Sequence, residues 1–335
     1  MPFEIIRNDI TRMKVDAIVN SANPQVFVGD GVDAAIHAAA GPELFEARKI
    51  IGDIPVGSAV STPAYKLDAE YVIHTVGPIW NGGAENEIEN VKLCYKNALD
   101  LALEKKCESV AFPLISTGTY GFPKAEALKI AVSVISEFVL INDMKVFLVV
   151  YDRASYSLSE KLFTAVAKFI DDNYIEEHPE YYQNRRRSQE FIAYATPIFQ
   201  EEEQYESKTI KAERSLDDLM DKLEETFSIS LLRLIDEKGK TDVEIYKKAN
   251  LDRKLFSKIR SNKDYKPSKV TAIALALALE LNLDETKDLI GRAGFVLNHC
   301  NKFDVIIEYF IEQEKYNVFE INEGLFAFDQ VLLGI

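Results

Sequence analysis

The chain has 335 residues, 47% hydrophobic and 28% charged, which excludes collagen-like, mucin-like and wholly disordered proteins and suggests two domains. Its formal net charge is -15, from 54 acidic against 39 basic side chains, a poor balance for binding nucleic acid over the whole surface. Three cysteines make no disulfide framework, no signal-peptide pattern opens the chain, and the longest apolar run, 270–279, is short of the roughly 20 residues that span a bilayer, so a cytoplasmic protein without a membrane segment is expected.

Up to about Tyr174, β-type runs alternate with helical ones. Phe3–Ile6 and Ala17–Val19 predict strands, Val32–Ala40 a small-residue helix, Tyr71–Val76 a strand and Glu87–Lys105 a helix. Ser109–Pro113 predicts a strand, and Lys124–Leu140 a helix with apolar positions at 128, 131, 132, 135 and 138. Lys145–Tyr151 reads as a fully buried strand and Leu158–Asp171 as a closing helix. Unbroken apolar strands between helices imply the α/β class, with a mixed, mostly parallel sheet sandwiched by helices. Ligands in such folds sit on the loops at the carboxyl ends of the strands.

Residues 175–225 lose this periodicity. Arg185-Arg186-Arg187 and Glu201-Glu202-Glu203 mark an acidic, partly helical linker. From Ser228 the text is helical, with one β-like stretch around Phe319–Phe328. The expected organisation is therefore a first domain over 1–174, a linker over 175–225, and an all-α domain over 226–335 ending in an acidic tail.

Two strand-ending loops carry the chemistry. In the first, the strand closing at Asn20 leads through Asn23 and Gly29-Asp30-Gly31 into the helix that begins at Val32. Glycine lets backbone N–H groups approach a ligand, and a helix N-terminus favours anions. The second, Pro113 to Pro123, offers Ser116, Thr117, Gly118, Thr119, Tyr120 and Gly121 between a strand and a helix. Facing each other, the two would cradle a diphosphate. Neither fits the Walker or dinucleotide fingerprint, which argues against kinase and hydride-transfer chemistry. Asp33 alone could be a first-turn helix acid, and Asp9 a cap before Ile10. His37 and His74 read as core or supporting histidines, with ligand or base roles as the alternative. Cys94, Cys107 and Cys300 lack metal-ligand spacing, so neither zinc nor thiol catalysis is expected.

Together these motifs resemble the macrodomains, which bind ADP-ribose. The resemblance covers residues 1–174 and rests on Asn8-Asp9-Ile10-Thr11, on Val15 to Asn23 with Gly31-Val32-Asp33, on His74-Thr75-Val76-Gly77-Pro78, and on Ile115 to Gly121. It is nearest the MacroD-like branch, whose members remove mono-ADP-ribose from acidic side chains and deacetylate O-acetyl-ADP-ribose. The resemblance makes Asn23 and Asp33 the catalytic pair. It gives adenine to Asp9 with the Ile10 backbone and places Asn20 near the distal ribose. Gly29, Asp30, Gly31 and Val32 become the first phosphate loop, and Ser116, Thr117, Gly118, Thr119 and Tyr120 the diphosphate loop, with Tyr120 against the distal ribose. Tyr151 joins the binding set. No cofactor and no metal are implied; the partner is ADP-ribose or an ADP-ribosylated protein. Asp30 departs from the glycine-rich loop of that branch and brings a negative charge toward the diphosphate. The alternative function is a sensor that binds ADP-ribose or an NAD-derived metabolite without turnover.

The stretch Val243–Arg260 reads as helix, short turn, helix, and Lys266-Pro267-Ser268 opens a further helix. Residues 228–295 resemble the repressor-type helix-turn-helix family, with Arg253–Ser261 in the place of the recognition helix. Between 247 and 269 there are nine basic residues against Asp252 and Asp264. DNA contact would fall on Arg253, Lys254, Lys258 and Arg260, and a DNA or protein partner would dock through 245–270. The oligomeric state stays open.

Overall fold

A computed structural model describes residues 3–151, 160–174 and 225–334. Six strands form one sheet: β1 (Phe3–Arg7), β2 (Ala17–Ser21), β3 (Ala59–Pro63), β4 (Tyr71–Thr75), β5 (Ser109–Phe112) and β6 (Lys145–Val150). Their order is β1-β6-β5-β2-β4-β3, with all neighbours parallel except β3 against β4. Helices α1 (Val32–Ala40), α2 (Pro42–Ile51), α3 (Glu87–Glu104), α4 (Lys124–Ile141) and α5 (Glu160–Asn173) cover it.

Strand side chains alternate between two cores, as the pleat requires. Ile18, Val72, Ala111 and Phe147 pack with Ile36 and Leu44 of α1 and α2. Val19, Ile73, Phe112 and Leu148 pack on the opposite face with Tyr95 and Leu99 of α3 and Leu128 and Ile135 of α4. Helices on both faces explain why these strands read as unbroken apolar runs.

Two elements escaped the sequence reading. Helix α2 stands between Gly41 and Gly52, both at positive φ, with proline in its first turn. Strand β3 is a half-exposed antiparallel edge strand with no apolar run to announce it.

The C-terminal part is all helical: α6 (Phe227–Glu237), α7 (Asp242–Lys248), α8 (Arg253–Ser261), α9 (Lys269–Ala278), α10 (Leu283–Arg292), α11 (Lys302–Glu312) and α12 (Val318–Ala327). Thr271 to Ala278 of α9 are buried, so this helix forms the centre of the bundle. The β-like text around Phe319–Phe328 is instead α12, capped by Asn317, whose side chain accepts from the Phe319 amide. Burial around most of its circumference hides the helical period, and tertiary packing overrides β propensity. Apart from Glu225, the proposed linker lies outside the described residues.

The bundle packs on the outer edge of the sheet. Asn250, at φ +57 in the turn between α7 and α8, is buried against β1. Its Oδ1 accepts from the Phe3 amide at 2.7 Å, and its Nδ2 donates to the carbonyls of Phe3 at 2.9 Å and Leu333 at 3.4 Å. At the other end of β1, Arg7 pairs with Asp329 at 3.1 Å. Phe163 of α5 stacks on Phe328 with ring centroids 5.0 Å apart. The exposed edge of β1 is thereby covered, which blocks strand addition there.

Candidate functional site

The carboxyl ends of β2 and β5 deliver the two glycine-containing loops to one cleft of about 120 Å³. Asn23, Gly29, Asp30, Gly31, Val32 and Asp33 line one side, and Ser116, Thr117, Gly118, Thr119 and Tyr120 the other. The parallel order of β2 and β5 puts both loops on the same edge of the sheet.

Asp33 lies in the first turn of α1 and is buried, but it serves more than the helix end. Its Oδ2 accepts the Gly29 amide at 2.6 Å, and its Oδ1 accepts from Asn20 Nδ2 at 2.6 Å. His37 Nε2 is 3.6 Å from Oδ1. Burial lowers the His37 pKa, opposed by the Asp33 charge and assisted by Arg48.

Asn23 faces this carboxylate from the start of the loop, and the Tyr120 hydroxyl donates to its Oδ1 at 2.9 Å, bridging the two walls. Burial and the Asp33 charge raise the Tyr120 pKa, so the phenol keeps the proton it donates. The Trp80 amide donates to the Tyr120 carbonyl at 2.9 Å and holds that wall in place.

The second loop turns sharply. Ser116 sits at φ +63, its carbonyl accepts the Phe122 amide at 3.0 Å, and the Gly118 carbonyl accepts the Gly121 amide at 2.9 Å. Ser116 Oγ is buried and has no hydrogen-bond partner among the described residues. Gly77 packs so closely that a Cβ there would overlap Ser116 Oγ and come within 2.8 Å of Ile115 Cγ2.

Not every expected residue reaches the cleft. Asn20 is wholly buried behind Asp33 and supports it instead of lining the wall. Asp9 caps the 3-10 turn Ile10–Arg12, its Oδ1 accepting from the Thr11 amide at 2.9 Å and the Thr11 hydroxyl at 2.7 Å. It lies beside β6, where the Asn8 amide donates to the Val150 carbonyl at 3.1 Å, next to exposed Tyr151. Asp9, Ile10 and Tyr151 thus form a separate group at the far end of the same sheet edge. Asp30 is exposed at the mouth of the cleft.

The sequence reading missed Arg48. Its buried guanidinium donates to the carbonyls of Asn23 and Pro24, both at 3.3 Å, and to that of Gly52, tying α2 to the Asn23 loop. No cluster of three or more His, Cys, Asp or Glu side chains is placed to hold a metal among the described residues. Likewise, none of the described helices is long and apolar enough to cross a membrane.

Residues 19–131 match the Macro domain family. The O-acetyl-ADP-ribose deacetylase of Citrobacter rodentium is 50% identical over 166 residues, covering 48% of this chain and 94% of that protein. A macro domain-containing protein of Methanosarcina mazei is 46% identical over 164 residues, covering 48% and 88%. Among solved structures, the Oceanobacillus iheyensis macrodomain with ADP shares 41% identity over 48% of this chain and 84% of its own, with a TM-score of 0.43. The chain, through its N-terminal half, belongs to the Macro domain family.

Proposed function

We propose that residues 1–174 form an ADP-ribose hydrolase domain, deacetylating O-acetyl-ADP-ribose or releasing mono-ADP-ribose from acidic side chains of proteins. One observation carries this reading: Asp33, fixed by Gly29 and Asn20, stands beside Asn23 and across the cleft from the Ser116–Tyr120 loop, whose Tyr120 hydroxyl donates to Asn23. The relatives named for O-acetyl-ADP-ribose deacetylation support it.

In this reading the diphosphate lies between Gly29–Val32 and Ser116–Tyr120, where backbone N–H groups and the N-terminus of α1 favour an anion. Adenine extends toward Asp9 and Ile10, with Tyr151 beside them. The distal ribose sits under Tyr120 and beside Asn23. Asp33 orients a water and takes up its proton as the oxygen adds to the ester; the C–O bond then breaks, the proton passes from Asp33 to the departing ribose oxygen, and ADP-ribose and a carboxylic acid are released. No cofactor is needed. The assay is release of acetate from O-acetyl-ADP-ribose and of ADP-ribose from a target modified on glutamate or aspartate. Binding of ADP-ribose without either release would favour the sensor.

We further infer that residues 245–270 dock a DNA or protein partner, in a helix-turn-helix-like module within 226–335. Arg253, Lys254 and Lys258 are exposed on α8, whose Phe256 and Ile259 are buried. Lys263 and Lys266 extend that surface. Lys247, Lys248, Arg260 and Lys269 have acidic partners in Asp143, Glu280, Asp242 and Asp304, so Arg260 contributes least to a free positive field. Backbone-dominated binding loses affinity steeply with salt, and duplex DNA titrated at two salt concentrations tests it. A reducing cytoplasm suits the free Cys94, Cys107 and exposed Cys300.

A further inference from the structure

Behind Asp33, polar side chains run sideways across the sheet. Asn20 on β2 and His74 on β4 are register partners, and Thr62 on β3 lies diagonally beyond, two residues along from Val60, the register partner of His74. All three are buried, with Asn20 and His74 fully removed from solvent. Asn20 Nδ2 is 2.6 Å from Asp33 Oδ1 and 3.2 Å from His74 Nδ1; His74 Nε2 is 3.0 Å from Thr62 Oγ1.

Hydrogen-bond chemistry orders this row in one way. The Asn20 amide nitrogen has two hydrogens and faces two acceptors, Asp33 Oδ1 and His74 Nδ1. The histidine proton therefore sits on Nε2 and is donated to Thr62 Oγ1. The opposite tautomer would set an N–H against the Asn20 N–H. A turned amide would set Asn20 Oδ1 against the Asp33 oxygen. Asn20 Oδ1 has no hydrogen-bond partner among the described residues, so only the two nitrogen contacts hold the amide in place.

We propose that His74 and Thr62 are positioning residues: Thr62 accepts the histidine Nε2–H and holds the ring, His74 Nδ1 holds the Asn20 amide, and Asn20 aims the Asp33 carboxylate into the cleft. The inference rests on the hydrolytic role given to Asp33. The charged and titratable groups facing His74 agree with it. Burial, with Arg48 and His37 nearby, lowers the His74 pKa to about 3, so the ring stays neutral and Nδ1 keeps its lone pair. His37 lies against the same ring, with centroids 6.3 Å apart, and does not bond to Asn20.

Two measurements test the relay. In the ligand-free protein at neutral pH, nitrogen NMR of labelled histidine should show His74 as the Nε2–H tautomer; an Nδ1–H tautomer or an imidazolium overturns the proposal. In turnover of O-acetyl-ADP-ribose, Thr62→Val and His74→Leu should lower kcat by roughly tenfold to a hundredfold, as expected for a misaimed catalytic group. Their Kd for ADP-ribose should stay near that of the wild type. His74→Asn, whose Oδ1 can accept where Nδ1 did, should recover most of kcat. In an Asn20→Ala background, His74→Leu should cost nothing further, because the relay already lacks its middle member. Unchanged kcat in Thr62→Val and His74→Leu, or additive losses in the double variant, would overturn it. If His74→Leu does not fold, Thr62→Val and the NMR measurement decide. If the wild type shows no turnover, the hydrolytic reading falls, and the tautomer alone decides the relay.

Discussion

The amide of Gly29 donates to Asp33 Oδ2 at 2.6 Å, and the same glycine leaves no room for a side chain: a Cβ would overlap Asn23 Nδ2 and stand 3.4 Å from Asp33 Oδ2. Gly29 therefore controls the spacing of the proposed catalytic pair. Gly29→Ala should displace Asn23 and lower kcat by about tenfold or more while leaving the melting temperature nearly unchanged. Steady-state kinetics and a thermal melt of the same preparation check this.

Asn250 joins the helical bundle to the sheet through three hydrogen bonds to backbone groups. Asn250→Ala leaves the Phe3 amide and carbonyl unpaired in a buried seam, at a cost of about 2–4 kcal/mol. Denaturant unfolding should show that loss, and hydrogen exchange should show faster exchange of the Phe3 amide. Wild-type protection at Phe3 would contradict the role given to this contact.

Glu323 of α12 is buried, and burial, with repulsion from Glu320 and against attraction from Lys129, pushes its pKa up to about 8 from an ordinary value of 4.5. Folding therefore favours its protonated form. That contribution is fully present below about pH 4.5 and is lost as pH rises through about 8. Glu323→Gln keeps a neutral, similarly shaped side chain. The variant should match the wild type in thermal melts near pH 4.5 and exceed it by several degrees above pH 8. Parallel curves for the two proteins across this range would contradict the assignment.

On α8, Lys254→Glu with Lys258→Glu reverses two exposed charges far in sequence from the cleft. Duplex DNA binding should weaken in the double variant, and its dependence on salt should flatten. Hydrolysis of O-acetyl-ADP-ribose should not change. Fluorescence anisotropy at two salt concentrations and the deacetylation assay measure these together.

Much of the fold was legible because its strands are buried on both faces and its long helices show a clear apolar period. Val32–Ala40 has the predicted bounds, and Glu87–Glu104 and Lys124–Ile141 differ from their predicted spans by one residue. Helix α2 went unread although its Gly-Pro start and glycine end mark its boundaries, because its interior is too polar for a clear apolar period. The two cleft loops were legible because glycine and hydroxyl residues cluster next to strand ends. The support behind them was not. Arg48 acts on carbonyl groups of a distant loop, and the His74–Thr62 contact depends on the register of an antiparallel edge strand that shows no pattern of its own. Such contacts are set by tertiary packing and leave no local periodicity. The mutual facing of Asn250 and β1 is of the same kind.

The most direct test of the central claim compares wild type and Asp33→Ala for release of acetate from O-acetyl-ADP-ribose, with ADP-ribose binding measured by calorimetry on both. Turnover by the wild type, its near-complete loss in the variant and retained ADP-ribose binding are the predicted result. Wild-type rates in Asp33→Ala, or binding without turnover in the wild type, would contradict a hydrolase built on this carboxylate.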